Sequence, residues 1–187
     1  MRLDLIRHPR PEITPGVCYG RSDIPVAPVV MREVLTQLLE HVSVPARIVS
    51  SPLQRCLNLA QALSDQLGLA PPRVDARLRE MDFGAWEGRS WEQIGQAEVS
   101  AWEQDMAHYR PGGGESVVQM LRRVAACYED LRAADEDVIV MCHAGTIRLM
   151  RAWHAAGGDT QELEAIARQV VQARHEIAYG QCITLEI

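Results

Sequence analysis

Apolar positions along the chain fall into two rhythms. Short runs with little alternation read as buried strands: Leu3-Asp4-Leu5-Ile6, Arg47-Ile48-Val49-Ser50, Asp137-Val138-Ile139-Val140-Met141-Cys142 and the closing Gln181-Cys182-Ile183-Thr184-Leu185-Glu186. Such runs suit strands covered on both faces. Between them, apolar residues recur at helical spacing. Val30, Val34, Leu35, Leu38 and Val42 share a face over about 28–41; Leu53, Leu57, Ala60, Leu63 and Leu67 do so ahead of Gly68. Val117, Leu121, Val124, Ala125, Tyr128 and Leu131 predict a third helix over 115–134, each an amphipathic stripe facing a core. Ser51-Pro52 reads as an N-cap followed by proline at the first helical position. Two more helices are predicted, from the turn after His143 through Trp153 and over about 160–173.

Two stretches break the alternation of strand and helix. Residues 9–28 hold five prolines and two glycines, a loop long enough to be functional rather than a mere connection. Residues 70–115 begin with Pro71-Pro72, continue through the irregular 78–88 segment, and carry a capping-box signature at Ser90-Trp91-Glu92-Gln93 that opens a helix to about Ala107. Gly112-Gly113-Gly114 is a hinge-like turn. The expected fold is α/β: a three-layer αβα sandwich with a mostly parallel central sheet and helices on both faces. The 70–115 stretch is a helical insertion over the sheet's carboxyl edge. One domain spans 1–187.

Composition narrows this picture. At 187 residues, 47% hydrophobic and 24% charged, the chain has the make-up of an ordinary globular domain. Aromatics are only 5%, so the core is built from aliphatic side chains and methionine. A net charge of −6 argues against a broad nucleic-acid surface and leaves room for a small basic pocket. No apolar run approaches the roughly 20 residues needed to span a bilayer, and the N-terminus opens on a strand without a signal-peptide pattern. Cys18, Cys56, Cys127, Cys142 and Cys182 form no C-x-x-C pair and read as reduced, mostly buried thiols. A cytoplasmic location is expected, with no membrane or nucleic-acid partner; a homodimer stays open.

Three strand ends then supply chemistry. The first strand ends in Arg7-His8, where Pro9 stops the ladder. The second leads into a helix whose first turn holds Arg55, and the strand ending at Cys142 delivers His143 into a small-residue turn. In a mostly parallel sheet these ends share one edge, where ligands bind. Two arginines, two histidines and two helix N-termini make an anion site, with phosphate the obvious guest. Positive neighbours keep His8 neutral, and a neutral imidazole can attack phosphorus. Glu80, in the irregular segment near the same edge, is the candidate proton donor. His41, His108, His154 and His175 have no metal-ligand spacing and are expected at the surface. Trp86, Trp91 and Trp102 are expected to pack the insertion.

Four stretches carry a family resemblance: Leu3-Asp4-Leu5-Ile6-Arg7-His8, Ser50-Ser51-Pro52-Leu53-Gln54-Arg55-Cys56, Leu78-Arg79-Glu80-Met81-Asp82-Phe83-Gly84-Ala85-Trp86-Glu87-Gly88 and Val140-Met141-Cys142-His143-Ala144-Gly145. In this order they resemble the histidine phosphatase superfamily, the phosphoglycerate mutase-like group, over nearly the whole chain. The resemblance implies a phosphomonoesterase without metal or cofactor, acting on a small phosphorylated metabolite. His8 would carry the phosphoryl group; Arg7, Arg55 and His143 would bind its oxygens; Glu80 would act as acid and then base. The Ala144 N–H would add a donor. The family usually places glycine, then a threonine and an asparagine, after the nucleophile; here Pro9, Arg10, Pro11, Glu12 and Ile13 follow. Arg-His-x-Arg-Pro followed by Cys-Tyr-Gly-Arg-Ser-Asp resembles a bacterial subgroup labelled α-ribazole phosphatase-like, which implies α-ribazole 5′-phosphate as substrate and a link to cobalamin synthesis. Tyr19 and Arg21 are the loop's candidate ligand contacts.

Three alternatives stand beside this reading. Cys142-His143-Ala144-Gly145-Thr146-Ile147-Arg148 fits the Cys-x-x-Gly-x-x-Arg phosphate loop of cysteine-dependent phosphatases, but leaves Arg7, His8, Arg55 and Glu80 unexplained. A mutase would use the same residues and pass the phosphoryl group to a second hydroxyl. A phospho-ligand binding protein with little catalysis would use the same scaffold. For Glu80, the plain alternative is a structural ion pair with Arg77 or Arg79.

Overall fold

Every residue of strand Val138–Cys142 is buried, and the molecule is layered about that strand. The computed structural model describes residues 1–42, 47–173 and 176–187; His175 lies outside them. Five strands form one sheet: β1 (Arg2–Arg7), β2 (Arg47–Ser50), β3 (Arg73–Val74), β4 (Val138–Cys142) and β5 (Cys182–Glu186), in the order β3-β2-β4-β1-β5. β4 slots between β1 and β2 and runs parallel to both, β3 runs parallel to β2, and β5 closes the sheet antiparallel to β1.

The unbroken apolar run of β4 has a direct cause. Val138, Val140 and Cys142 face one core and Ile139 and Met141 face the other, because successive side chains point to opposite sides of a sheet. The helices are α1 (Pro28–His41), α2 (Gln54–Leu67), α3 (Trp91–Ile94), α4 (Gln96–Gln104), α5 (Val117–Ala133), α6 (Ala144–Ala155) and α7 (Leu163–Gln172). Val34 and Leu38 of α1 and Cys56, Leu59, Ala60 and Leu63 of α2 cover the Ile139 face. Leu121 and Val124 of α5, Ile147 and Met150 of α6, and Ile166 of α7 cover the other. Truncating Ile139 to alanine would cost about 2–5 kcal/mol, the lost burial plus the cavity left against α1 and α2. No helix among the described residues is long and apolar enough to cross a membrane.

The structure departs from the sequence reading in three places. Residues 73–74 extend the sheet as β3, so the insertion begins after that edge strand rather than at 70. The helix expected from Ser90 to Ala107 is two, broken at Gly95 (φ 91); the capping box at Ser90 and Gln93 forms as expected. Helix α2 starts at Gln54, with Leu53 at its N-cap position. Its first amide is capped from a distance, because the Gln54 N–H donates to Asp23 Oδ1 at 2.7 Å.

Candidate active site

The register of the sheet brings the two histidines together. Arg7 pairs with Cys142 across β1 and β4, so His8 and His143 are the next residues out at the sheet's centre. The His8 N–H donates to the Cys142 carbonyl at 3.0 Å, and the imidazole centroids lie 5.1 Å apart. Both side chains are buried, His8 at 2% exposure and His143 at 0%. This is the crevice at the carboxyl ends of parallel strands, where the sheet order reverses.

His8 has one defined tautomer. Its Nδ1 lies 2.6 Å from the Pro9 carbonyl oxygen, which can only accept, so Nδ1 holds the proton and Nε2 keeps a lone pair. Burial, then the charges of Arg55 and Arg7, push its pKa from 6.5 down to about 3, against the Pro9 hydrogen bond, which raises it. His143 is likewise held far below its usual pKa, first by burial and then by His8 and the nearby arginines. Its Nε2 meets Ser51 Oγ at 2.8 Å and Cys56 Sγ at 3.5 Å. Ser51, expected as a helix cap, is fully buried; its hydroxyl accepts from the Leu53 N–H at 3.4 Å and also holds His143.

The two arginines are anchored by backbone oxygens. Arg55 donates through Nη1 to the Ser22 carbonyl at 2.6 Å and through Nη2 to the Gly20 carbonyl at 2.5 Å. Arg7 donates to the Ile177 carbonyl and lies 3.7 Å over the Tyr179 ring. Among the described residues neither guanidinium has a carboxylate partner within salt-bridge distance. Arg55 is fully buried and Arg7 partly so, and guanidiniums withdrawn from water without a counter-ion favour an arriving anion. Tyr19 and Tyr179 join hydroxyls at 2.9 Å, and Tyr19 lies beside Arg55, its ring centre 5.5 Å from the guanidinium carbon. Burial, then the bond to Tyr179, lift the Tyr19 phenol to about 12.

Glu80 reaches the same place from the insertion. Its Oε2 accepts from the Gly145 N–H, in the first turn of α6, at 3.1 Å, and its Oε1 from the Met81 N–H at 3.1 Å. Gly145 permits this approach: a Cβ there would sit 2.3 Å from Glu80 Oε1. The ion pair with Arg77 does not form. Arg77 binds Asp75 and Asp130 at 2.7 and 2.8 Å. Arg123 of α5 fixes the strand of chain that carries Glu80. It donates to the carbonyls of Arg77, Arg79 and Glu80 at 2.6, 2.7 and 3.2 Å, and grips Glu115 with two bonds of 2.7 Å.

The structure thus brings Arg7, His8, Arg55, Glu80, His143 and the α6 N-terminus at Ala144 to one crevice, with Tyr19 on its wall. Arg21 is directed elsewhere: it pairs with Asp82 at 2.8 Å, about half exposed, away from the lining of the cavity. The short polar side chain of Asp82 captures it first. The loop holding Tyr19 is buckled by Glu87, which accepts from the N–H groups of Arg21, Ser22 and Phe83 and from the Ser22 hydroxyl. His108 pairs with Asp105 and Glu164 at the surface. Cys142 is fully buried in the core and does not line the cavity, so its sulfur is not presented to a phosphate there; burial also raises its thiol pKa, and the Cys-x-x-Gly-x-x-Arg reading finds no support. Trp86 is buried as expected, but Trp102 also lines the cavity and Trp91 is 42% exposed. Ser51, Tyr179, Arg123 and Arg148 escaped the sequence reading. Ser51 and Arg148 lie inside stretches that the sequence marks for other roles, a helix cap and the Cys-x-x-Gly-x-x-Arg pattern; Tyr179 and Arg123 lie in none.

The family model for the histidine phosphatase superfamily (branch 1) matches residues 3–176, and the chain belongs to that family. It is similar to a glucosyl-3-phosphoglycerate phosphatase of Mycolicibacterium vanbaalenii, 34% identical over 120 residues, covering 58% of this chain and 52% of that protein. The chain therefore spans about half the length of that curated relative. Among solved structures, the α-ribazole phosphatase of Shigella flexneri superposes with a TM-score of 0.82 at 25% identity, covering 100% of this chain and 91% of the other. A mycobacterial glucosyl-3-phosphoglycerate phosphatase crystallised with vanadate superposes with a TM-score of 0.77 at 25% identity, covering 99% and 92%.

Proposed function

We propose that this protein is a phosphomonoesterase that works through a phosphohistidine on His8, without metal. One observation carries the reading: a buried, neutral His8 has its Nδ1 proton engaged by the Pro9 carbonyl and its Nε2 lone pair free, between two guanidiniums that have no carboxylate partner among the described residues. Nε2 attacks phosphorus and the bond to the ester oxygen breaks. Glu80 gives that oxygen its proton. In the second half Glu80, now a carboxylate, takes a proton from water; the water oxygen attacks phosphorus, the N–P bond breaks, and neutral His8 returns. Arg7, Arg55, His143 and the Ala144 N–H hold the phosphoryl oxygens as charge builds on them. The Pro9 carbonyl supports the positive imidazole ring of the phosphoenzyme. Proline after the nucleophile is therefore compatible with this chemistry, which uses the carbonyl of that residue and needs no N–H from it.

For the substrate, α-ribazole 5′-phosphate is the candidate, supported by the full-length likeness to the Shigella flexneri enzyme. The test is a turnover screen with p-nitrophenyl phosphate, α-ribazole 5′-phosphate, sugar phosphates and 3-phosphoglycerate, with His8→Ala alongside. Hydrolysis lost by about 10⁴-fold in His8→Ala is expected. A wild-type protein that binds phosphate and hydrolyses none of them would leave the binding-protein reading in its place. A flat profile across leaving groups would remove α-ribazole and keep the reaction.

A further inference from the structure

The cavity of about 370 Å³ beside His8 has two unlike ends. Arg7, His8 and Glu80 stand at the phosphoryl end. Beyond them the wall is apolar: Phe83, Trp102 and Met106 come from the insertion, Met120 from α5, and Val170 and Val171 from α7. The mechanism uses none of these six. We propose that this annex is the leaving-group subsite, and that it selects phosphomonoesters whose alcohol carries a flat, apolar aromatic body. The proposal rests on the phosphomonoesterase reading.

Three observations carry it. The annex opens directly onto Glu80, the proposed proton donor, so the part of the substrate that departs must lie there. Among the described residues, the one cation that lines it is Arg148, one turn along α6 from Gly145, and that guanidinium already donates to the carbonyls of Val170 and Ala173. A polyol or a carboxylate-bearing alcohol would thus lay its hydroxyls against carbon and lose water for nothing. The ring edges and methionines suit an aromatic guest: Trp102 is propped by stacking on Trp91 at 3° and by the Trp86 edge at 83°, so its exposed side is presented rigidly, while Met106 and Met120 adapt to the outline. A partly engaged guanidinium in an apolar wall also stacks on an aromatic face.

The experiment compares 2-naphthylmethyl phosphate with ethyl phosphate and 3-phosphoglycerate. All three leave as alkyl oxygens, so the bond chemistry is matched and the body differs. The expected kcat/KM ratio of naphthylmethyl to ethyl is on the order of 100-fold, what burying one such ring is worth. In Met106→Asn, and separately in the near-isosteric Val171→Thr, that ratio falls several-fold or more. A ratio near one, or 3-phosphoglycerate preferred over the naphthylmethyl ester, overturns the proposal. Binding of the same compounds to His8→Ala, followed by calorimetry, separates the two readings. If the wild type turns over nothing, the phosphatase reading fails on its own. The annex then stands if naphthylmethyl phosphate binds at least about tenfold tighter than ethyl phosphate, and falls if it does not.

Discussion

The two ends of the cavity are built by different means. The phosphoryl end is made by the sheet: His8 and His143 leave neighbouring parallel strands in register, Arg55 sits in the first turn of α2, and Ala144 opens α6. Its geometry follows from backbone pairing, and its side chains are pinned by backbone oxygens at Pro9, Gly20, Ser22 and Ile177. The leaving-group end is made by segments outside the sheet, which reach the site through tertiary contacts of Glu80, Arg123 and the tryptophan stack. A frame that fixes charge positions to fractions of an ångström serves one unvarying group, the phosphate. A wall of insertion and helix side chains can differ among relatives and so set the body attached to it.

Substitutions should separate the ends by their dependence on the leaving group. Arg55→Ala strikes the phosphoryl end. It should lower kcat/KM by about 10³-fold for every substrate alike, and Arg55→Lys should recover only part, because a single ammonium cannot span both loop carbonyls and the phosphate. Glu80→Gln strikes where the ends meet. Alkyl phosphates should slow by about 10²- to 10³-fold, whereas p-nitrophenyl phosphate, whose leaving oxygen needs no proton, should slow by less than about tenfold in its first half-reaction. Burst kinetics reads that half-reaction directly. Equal losses on both substrates would show that Glu80 does not protonate the leaving group.

Arg123 does not line the cavity but holds the backbone of Glu80 from behind, and so sharpens the boundary between the ends. It is a positioning residue for Glu80, acting through the carbonyls of residues 77, 79 and 80. Arg123→Met should reproduce the Glu80→Gln pattern at about tenfold, sensitive to leaving-group basicity; a merely structural role would lower all substrates together. The smallest effect is thermodynamic. Unfolded His8 takes up its proton near pH 6.5 and buried His8 only near about 3. The unfolded state therefore binds more protons across that window, and stability, complete above pH 6.5, falls as pH drops through it. Each such histidine contributes a slope of about 1.4 kcal/mol per pH unit. Denaturant midpoints between pH 7 and 4 should fall less steeply for His8→Asn than for the wild type.

What the sequence disclosed follows the same division. The β4 run, the helical stripes and the strand-end residues Arg7, His8 and His143 are local signals, set by period and by position next to a proline or a small-residue turn. Ser51 looked like a helix cap because capping is its commonest local use; only the β2–β4 register, with Ser50 opposite Met141, places it against His143. Tyr179 and Arg123 lie 172 and 43 residues from Arg7 and Glu80, the residues they support; such pairings exist only after the chain has folded. Arg21 carried the right charge in the right loop, and Asp82, distant in sequence, took it. The edge strand β3, two residues long, is too short to leave a periodic trace.

The most direct test is to trap the intermediate. The protein is mixed with a ³²P-labelled phosphomonoester, quenched in alkali within the first turnovers, digested and mapped. The expected result is label on the peptide carrying His8, stable in alkali and lost in acid, absent from His8→Ala and retained in Cys142→Ser. Label on any other residue, or turnover that survives His8→Ala without a labelled protein, would contradict a phosphohistidine on His8.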